Sequence, residues 1–376
     1  MIDARKLGDR VEPWLEIQAG NVAWNLAQVR CRVGETPVMA VVKCNAYGHG
    51  SVEMAQILAD AGVQDFAVVK IAEAIALRSS GIDQRILNFG SFSASDAETL
   101  VDLGICQSVF SGSIEWLANA AQQLGKPARV HIKVDAGMSR VGVPHEEAIS
   151  FIEDAHRMPG VVIDGVFTTL TEEPEFDLVQ VDRLKKICQQ AATLDISVGT
   201  VHAASSSGVV DRPAAYLDMV RPGNALYGFE QLSGLDLRPT LSMHTRVVLV
   251  KTLPAGATLG YHRVRQIERE MKLATLPVGY ADGFPASAVD AAEVLIGGRR
   301  WPVVGYISAN HTLVDITGSD IVENDGVVLF GTQEQARISL AEVAGWTGLS
   351  AYQFATGLSP MLPRSVLGRD ELAPRI

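Results

Sequence analysis

The chain has 376 residues, 47% hydrophobic and 20% charged, an ordinary balance for a folded protein with a sizeable core, and its length suggests two domains. A formal net charge of −11 and a pI near 5.2 argue against nucleic acid or an anionic membrane as partner. The N-terminal MIDARKLGDRVEPWLEI lacks the apolar core of a signal peptide, and no apolar run approaches the ~18 residues of a membrane span, so a cytoplasmic protein is expected.

In chain order, the first informative element is the apolar run Val38-Met39-Ala40-Val41-Val42, which predicts a strand buried on both faces. It ends on Lys43 and opens Cys44-Asn45-Ala46-Tyr47-Gly48-His49-Gly50, a turn suited to cradling a ligand. A lysine at a strand end is commonly a solvated flank. Lysine amines are also the groups that form Schiff bases with carbonyl cofactors such as pyridoxal phosphate.

Further strand-like runs follow: FAVV (66–69), RILNF (85–89), RVHIKV (129–134), IDGVF (163–167) and GTVHA (199–203). Helical patterns lie between them at 52–62, 72–81, 146–157 and 179–194. Helix-length crossovers between buried strands imply a parallel sheet, and the repeat count favours a (β/α)8 barrel over a doubly wound sheet. After about residue 240 the runs become short, β-branched and punctuated by turns, as in TRVVLVKTL, AEVLIGG and GVVLFG. These predict an antiparallel β domain with one short helix at 340–348. The expected division is 1–238 for the barrel and 239–376 for the β domain.

In such a barrel, functional residues cluster where strands end. Lys133 and Asp135 share one face of their strand by period, and Arg140 follows nearby. A buried lysine needs a partner; a lysine at a barrel mouth does not. His202 leads into the turn Ser205-Ser206-Ser207-Gly208, and Arg221 opens Arg221-Pro222-Gly223-Asn224. A Ser-rich turn after a strand offers hydroxyls and N–H groups to a phosphate, though ordinary turns look the same. Tyr261 and Tyr280 sit in Gly-flanked turns of the β domain, where tyrosine is either structural or an acid/base. The four cysteines (Cys31, Cys44, Cys106, Cys188) show no metal-binding spacing, so reduced thiols and no metal are expected, with Cys44 as a small buried filler.

The stretch AVVKCNAYGHG resembles the cofactor-lysine signature of alanine racemases. The likeness continues in order through HIKVDAGMSRVGV, HAASSSG, LDMVRPGNALYGF, LGYH, LPVGYADGFP, VVGYIS and AYQFATGLSPMLPRSV, spanning about residues 12–364. The resemblance implies a fold-type III pyridoxal phosphate enzyme, a homodimer with shared active sites that acts on an amino acid. It implies that Lys43 holds the cofactor as a Schiff base and is the base on one substrate face. Tyr261 from the partner subunit would be the acid/base on the other, giving L-alanine/D-alanine interconversion by two bases. Tyr47, Ser206, Gly223, Asn224 and Tyr352 would hold the phosphate, and Arg221 would face the pyridine nitrogen with His202 behind it. Arg140, Tyr280 and Ala309 would lie at the substrate. Lys133 matches a family position that can be carbamylated.

Four positions depart from the family pattern. Thr169 stands where the family has a histidine, Ser205 where it has asparagine, and Ala309 and Asn310 replace its methionine and aspartate. The last two suggest a roomier or differently charged substrate pocket. Three readings stay open: an alanine racemase, a relative acting at the α-carbon of a bulkier amino acid, or a non-catalytic pyridoxal phosphate-binding protein.

Overall fold

The computed structural model describes residues 11–289 and 291–369. The chain separates into two compact units. One comprises Val22–Ala46 and Ser51–Arg238. The other comprises the described residues up to Asn21, Tyr47–Gly50 and the described residues from Pro239 on. The expected boundary at 238/239 falls where the later part of the second unit begins. That unit also takes in β1 (Trp14–Gln18), which pairs with strands from beyond residue 240.

The first unit is a parallel barrel. Its strands are β2 (Met39–Val41), β3 (Asp65–Val68), β4 (Arg85–Asn88), β5 (Cys106–Val109), β6 (Ala128–Asp135), β7 (Val161–Phe167) and β8 (Thr200–His202), paired in that order. Residues 219–220 close the ring through two parallel bridges, His202↔Met219 on one side and Val38↔Val220 on the other. Backbone bonds Met39 N–H to Val220 O (2.9 Å) and Asp218 N–H to Val201 O (3.0 Å) hold this seam.

Every residue of β2, β3 and β5 is buried, as parallel strands under covering helices require. The covering helices are α1 (Ala19–Val33), α2 (Ser51–Asp60), α3 (Ile71–Ser79), α4 (Ala94–Asp102), α5 (Ile114–Leu124), α6 (Ala148–Arg157) and α7 (Pro174–Thr193). Two short ones, α8 (Ser206–Asp211) and α9 (Asn224–Tyr227), follow the last strands.

The second unit carries a mainly antiparallel sheet. Its strands are β9 (Leu241–Arg246), β10 (Leu249–Leu253), β11 (Met271–Leu276), β12 (Glu293–Ile296), β13 (Arg299–Val304), β14 (Thr312–Asp315), β15 (Gly326–Gln333) and β16 (Arg364–Leu367). With β1 the path runs β10-β11-β14-β13-β12-β15-β9-β1-β16, and β1–β16 is its parallel pairing. Leu259, Ile267, Met271, Leu273 and Val304 form one of its buried clusters. The helix expected at 340–348 is present as α10 (Leu340–Gly345), and α11 (Ala351–Thr356) follows. Among the described residues no helix is long and apolar enough to cross a membrane.

Candidate active site

Lys43 follows the end of β2, half-buried. The backbone after it is left-handed at Cys44, Asn45, Ala46 and Tyr47, with φ of 56°, 54°, 49° and 54°. Each non-glycine residue there costs about 1–2 kcal/mol, so neighbouring groups must hold the turn. Glu73 of α3 does so: its carboxylate accepts from Asn45 N–H (2.9 Å) and from Val69 and Lys70 N–H (both 3.1 Å). Asn45 Oδ1 accepts from Ser51 N–H at 3.1 Å, and the Ser51 hydroxyl donates to Val42 O at 3.2 Å. Cys44 is exposed, not the buried filler expected of it, because the left-handed turn takes it out of the strand whose faces are covered. All four cysteines are free.

Lys133, on β6, is only 6% exposed. Its Nζ donates to Thr169 Oγ1 and stands 4.6 Å from the centre of the Phe167 ring. Asp135, the partner that strand period suggests, is turned away: its carboxylate accepts from Gly137 (2.9 Å) and Ser139 (3.1 Å) N–H instead. Burial, then the charges of Arg221 and Arg140, pull the Lys133 amine down to about 7.

Arg221 follows the closing segment and is buried. It donates to His202 Nδ1 (2.7 Å), Thr168 O (2.8 Å) and Ala203 O (3.0 Å). Burial lowers it to about 9, so it remains a cation at neutral pH. His202, at the end of β8, stacks on Phe167 at 4.8 Å with a 7° interplanar angle. On its other side His202 Nε2 meets His131 Nδ1 at 2.7 Å.

Ser206 heads α8. Its hydroxyl oxygen accepts from Gly223 (3.0 Å) and Ala225 (3.1 Å) N–H, which leaves its own proton to donate. Asn224 Oδ1 is buried without a hydrogen-bond partner among the described residues. Ser205 and Ser207 hydroxyls lie 3.1 Å apart, and Ser207 donates to Glu172 at 2.9 Å. Arg140 is exposed.

In the second unit, Tyr47 meets Tyr352 edge-on, ring centres 4.8 Å apart. Gly48 is left-handed (φ +88°), and a Cβ there would stand 2.0 Å from Ala355 O, so the turn after Tyr47 lies directly against α11. Tyr280 N–H donates to Ser308 O (3.0 Å) and Ala281 N–H to Ala309 O (3.0 Å), which places Tyr280 beside Ala309. Asn310 is exposed. Tyr261 is 68% exposed on a turn opened by Gly260, its ring edge-on to Tyr306 at 5.6 Å.

Within the barrel, Lys43, Lys133, Thr169, His202 and Arg221 all lie at or beyond C-terminal strand ends, the rim where such barrels place their chemistry. Residues 17–231 match the model of the alanine racemase N-terminal domain, and residues 240–366 the C-terminal domain. The chain belongs to the alanine racemase family. It is 36% identical to an alanine racemase of Symbiobacterium thermophilum, over 93% of this chain and 96% of that one. It is 33% identical to alanine racemase 2 of Caldanaerobacter subterraneus subsp. tengcongensis, over 97% of each. The alanine racemase structure of Clostridium difficile superposes with a TM-score of 0.89 at 30% identity, covering 95% of this chain and 96% of that one. A histidine racemase from Leuconostoc mesenteroides shares the fold, with a TM-score of 0.87 at 24% identity over 96% of this chain and 99% of that one.

Sequence reasoning named the rim residues but passed over three that position them. Phe167 carries His202 and Lys133, Glu73 holds the turn after Lys43, and His131 continues the line behind His202. Period gave one signal: His131 shares its strand face with Lys133.

Proposed function

We propose that this protein is a pyridoxal phosphate-dependent amino-acid racemase with alanine as its substrate. The observation that carries the reading is the rim of the barrel, where a strand-end lysine on a braced turn stands with a buried, hydrogen-bonded arginine. The residues fit the cofactor. Ser206 keeps a hydroxyl proton to give to a phosphate, and the Asn224 amide, unpartnered at its oxygen, can present either edge to one. The family resemblance would add Tyr47, Tyr352 and the backbone of Gly223 to the phosphate set. Bound there, pyridoxal phosphate supplies the electron sink that acidifies an amino acid's α-hydrogen.

The chain's own groups do the rest. Lys43 would hold the cofactor through its amine and, once the amino group of the substrate had displaced it, would be the base on one face of the amino acid. Tyr261, contributed by the partner subunit of a homodimer, returns a proton from the opposite face, which inverts the centre. Its exposure on a glycine-opened turn suits a residue that works in a neighbouring subunit. Arg221 would face the ring nitrogen of the bound cofactor, where its cation would disfavour protonation and so moderate the electron sink. The family resemblance would give Arg140, Tyr280 and Ala309 the contacts to the substrate. Lys133 becomes an anion if its amine takes up carbon dioxide, and then pairs with Arg140. Growth of a carbamate carbon signal in 13C-bicarbonate, missing from Lys133→Met, tests that step.

A second reading, action on a bulkier amino acid, is favoured by Thr169. Its hydroxyl is engaged by Lys133, and it is smaller than the histidine of the family pattern. Incubation with a panel of L-amino acids in D2O decides between them, with NMR following α-proton exchange and chiral chromatography the products. Exchange and inversion of alanine supports the first reading, and inversion of larger substrates alone supports the second. Lys43→Ala should lose the visible absorbance of bound cofactor; a surviving band sinks the lysine assignment.

A further inference from the structure

Three buried side chains of the barrel stand in one hydrogen-bonded line. Arg221 Nη1 lies 2.7 Å from His202 Nδ1, and His202 Nε2 lies 2.7 Å from His131 Nδ1. A guanidinium has donors only, so His202 Nδ1 is the acceptor. A neutral His202 then carries its proton on Nε2 and donates it to His131 Nδ1. His131 in turn carries its proton on its own Nε2. Burial keeps both rings neutral, with the charge of Arg221 as the next cause, and His131 is held down at about 3. The line therefore has one direction, from the guanidinium through His202 to His131.

The barrel is shaped to admit the last ring. A Cβ on Gly165 of β7 would stand 2.5 Å from both Cε1 and Nδ1 of His131 and 2.7 Å from Thr200 O. The backbone of Gly165 is not left-handed, so the close approach of the ring is what calls for glycine there. His131 also faces a cavity of about 520 Å³ at the opposite end of the barrel from the rim, lined by Asp65, Arg85, Cys106, Arg129 and Asp164 among others. Two ion pairs, Arg85–Asp65 (2.6 Å) and Arg129–Asp164 (2.8 Å), lie in its lining. Among the described residues, His202 Nε2 is the hydrogen-bond partner of His131 Nδ1.

We propose that His131 is a positioning residue for Arg221: by accepting the Nε2 proton of His202 it fixes the tautomer whose Nδ1 holds the guanidinium. Its consequence for turnover rests on the reading that Arg221 faces the cofactor's ring nitrogen; the tautomer does not. A residue that only fills space would be replaced by phenylalanine without loss. A residue needed as an acceptor would be replaced by asparagine, whose side-chain oxygen reaches the place of Nδ1.

The test is 15N NMR of the histidine rings in the full-length protein, with the His202 signals assigned through a His202 variant. Wild type and His131→Asn should show His202 protonated at Nε2 and bare at Nδ1. His131→Phe should lose that pattern and lower kcat roughly tenfold with KM little changed, the scale of one lost buried hydrogen bond. Should His131→Phe fail to fold, Gly165→Ala displaces the ring without removing it and should disturb the same signals. A His202 protonated at Nδ1, or unchanged in His131→Phe, overturns the proposal. So does the expected tautomer in wild type with wild-type turnover in His131→Phe. A protein that shows the tautomer but takes up no pyridoxal phosphate upholds the lock and overturns the cofactor reading.

Discussion

The amine of Lys133 donates to the hydroxyl of Thr169, across the ends of β6 and β7. Thr169 thus serves the barrel's own lysine at the position where the family pattern has a histidine. The amine is buried beside cations and carries a pKa near 7 instead of 10.5. Below about pH 7 it is protonated in both folded and unfolded chains, and the cost of burying the charge is present in full. Between about 7 and 10.5 the unfolded chain binds the proton more, so this group's contribution to stability rises with pH. Unfolding in urea in carbon dioxide-free buffer should show up to about 4 kcal/mol more stability at pH 10 than at pH 6.5 from this group. Lys133→Met should flatten that rise; an unchanged pH dependence contradicts the buried, neutralised amine.

The braced left-handed turn makes two predictions of opposite sign. Cys44→Gly should leave stability unchanged or raise it by about 1 kcal/mol, since glycine adopts φ +56° without penalty. Glu73→Ala should cost about 1–3 kcal/mol, because three backbone N–H groups lose their acceptor. On the proposed role of Lys43 it should also weaken retention of pyridoxal phosphate on dialysis, since the turn that carries this lysine goes slack. Denaturation midpoints and retained absorbance measure the two.

Arg221→Met removes the donors from His202 Nδ1, Thr168 O and Ala203 O together. Leaving these buried acceptors without their donor should cost about 1–3 kcal/mol. A variant as stable as wild type, judged by thermal unfolding, would mean that water or another side chain replaces the guanidinium.

The proposed sharing of active sites between two subunits predicts complementation. Lys43→Ala and Tyr261→Phe should each be inactive alone. Unfolded together and refolded as a mixture, they should regain roughly a quarter of wild-type activity, since half the dimers carry one intact site of two. No recovery, in a mixture shown to form mixed dimers, places both residues in the same subunit's site.

Much of the fold was legible in the sequence because most barrel strands are continuous apolar runs, and VMAVV and RVHIKV name themselves. β5 did not. Its centre is Gln107 and Ser108, both buried, and Gln107 accepts from Asn88 (2.8 Å) and donates to Gly90 O (2.7 Å). A polar pair satisfied inside a barrel looks like a loop on paper. The closing segment at 219–220 is too short to carry a period. Lys43, Lys133, His202 and Arg221 stood out as candidates because a charged or aromatic residue near the end of an apolar run is conspicuous, while their roles came from the family resemblance. Glu73 and Gly165 act through a side chain or a space supplied by another strand or helix, and one-dimensional spacing carries no trace of that.

The two-residue seam at Met219–Val220 has a consequence for how the barrel holds itself closed. It joins the last strand made to the first, and few backbone bonds secure it. Arg221, Gly223 and Asn224 follow directly on its far side, and Lys43 lies just past the strand it meets. Any molecule gripped by both flanks would act as a clasp on the ring. Amide hydrogens of Met39 and Val220 should then exchange more slowly in the loaded protein than in the empty one, while those in the middle of β6 hardly change.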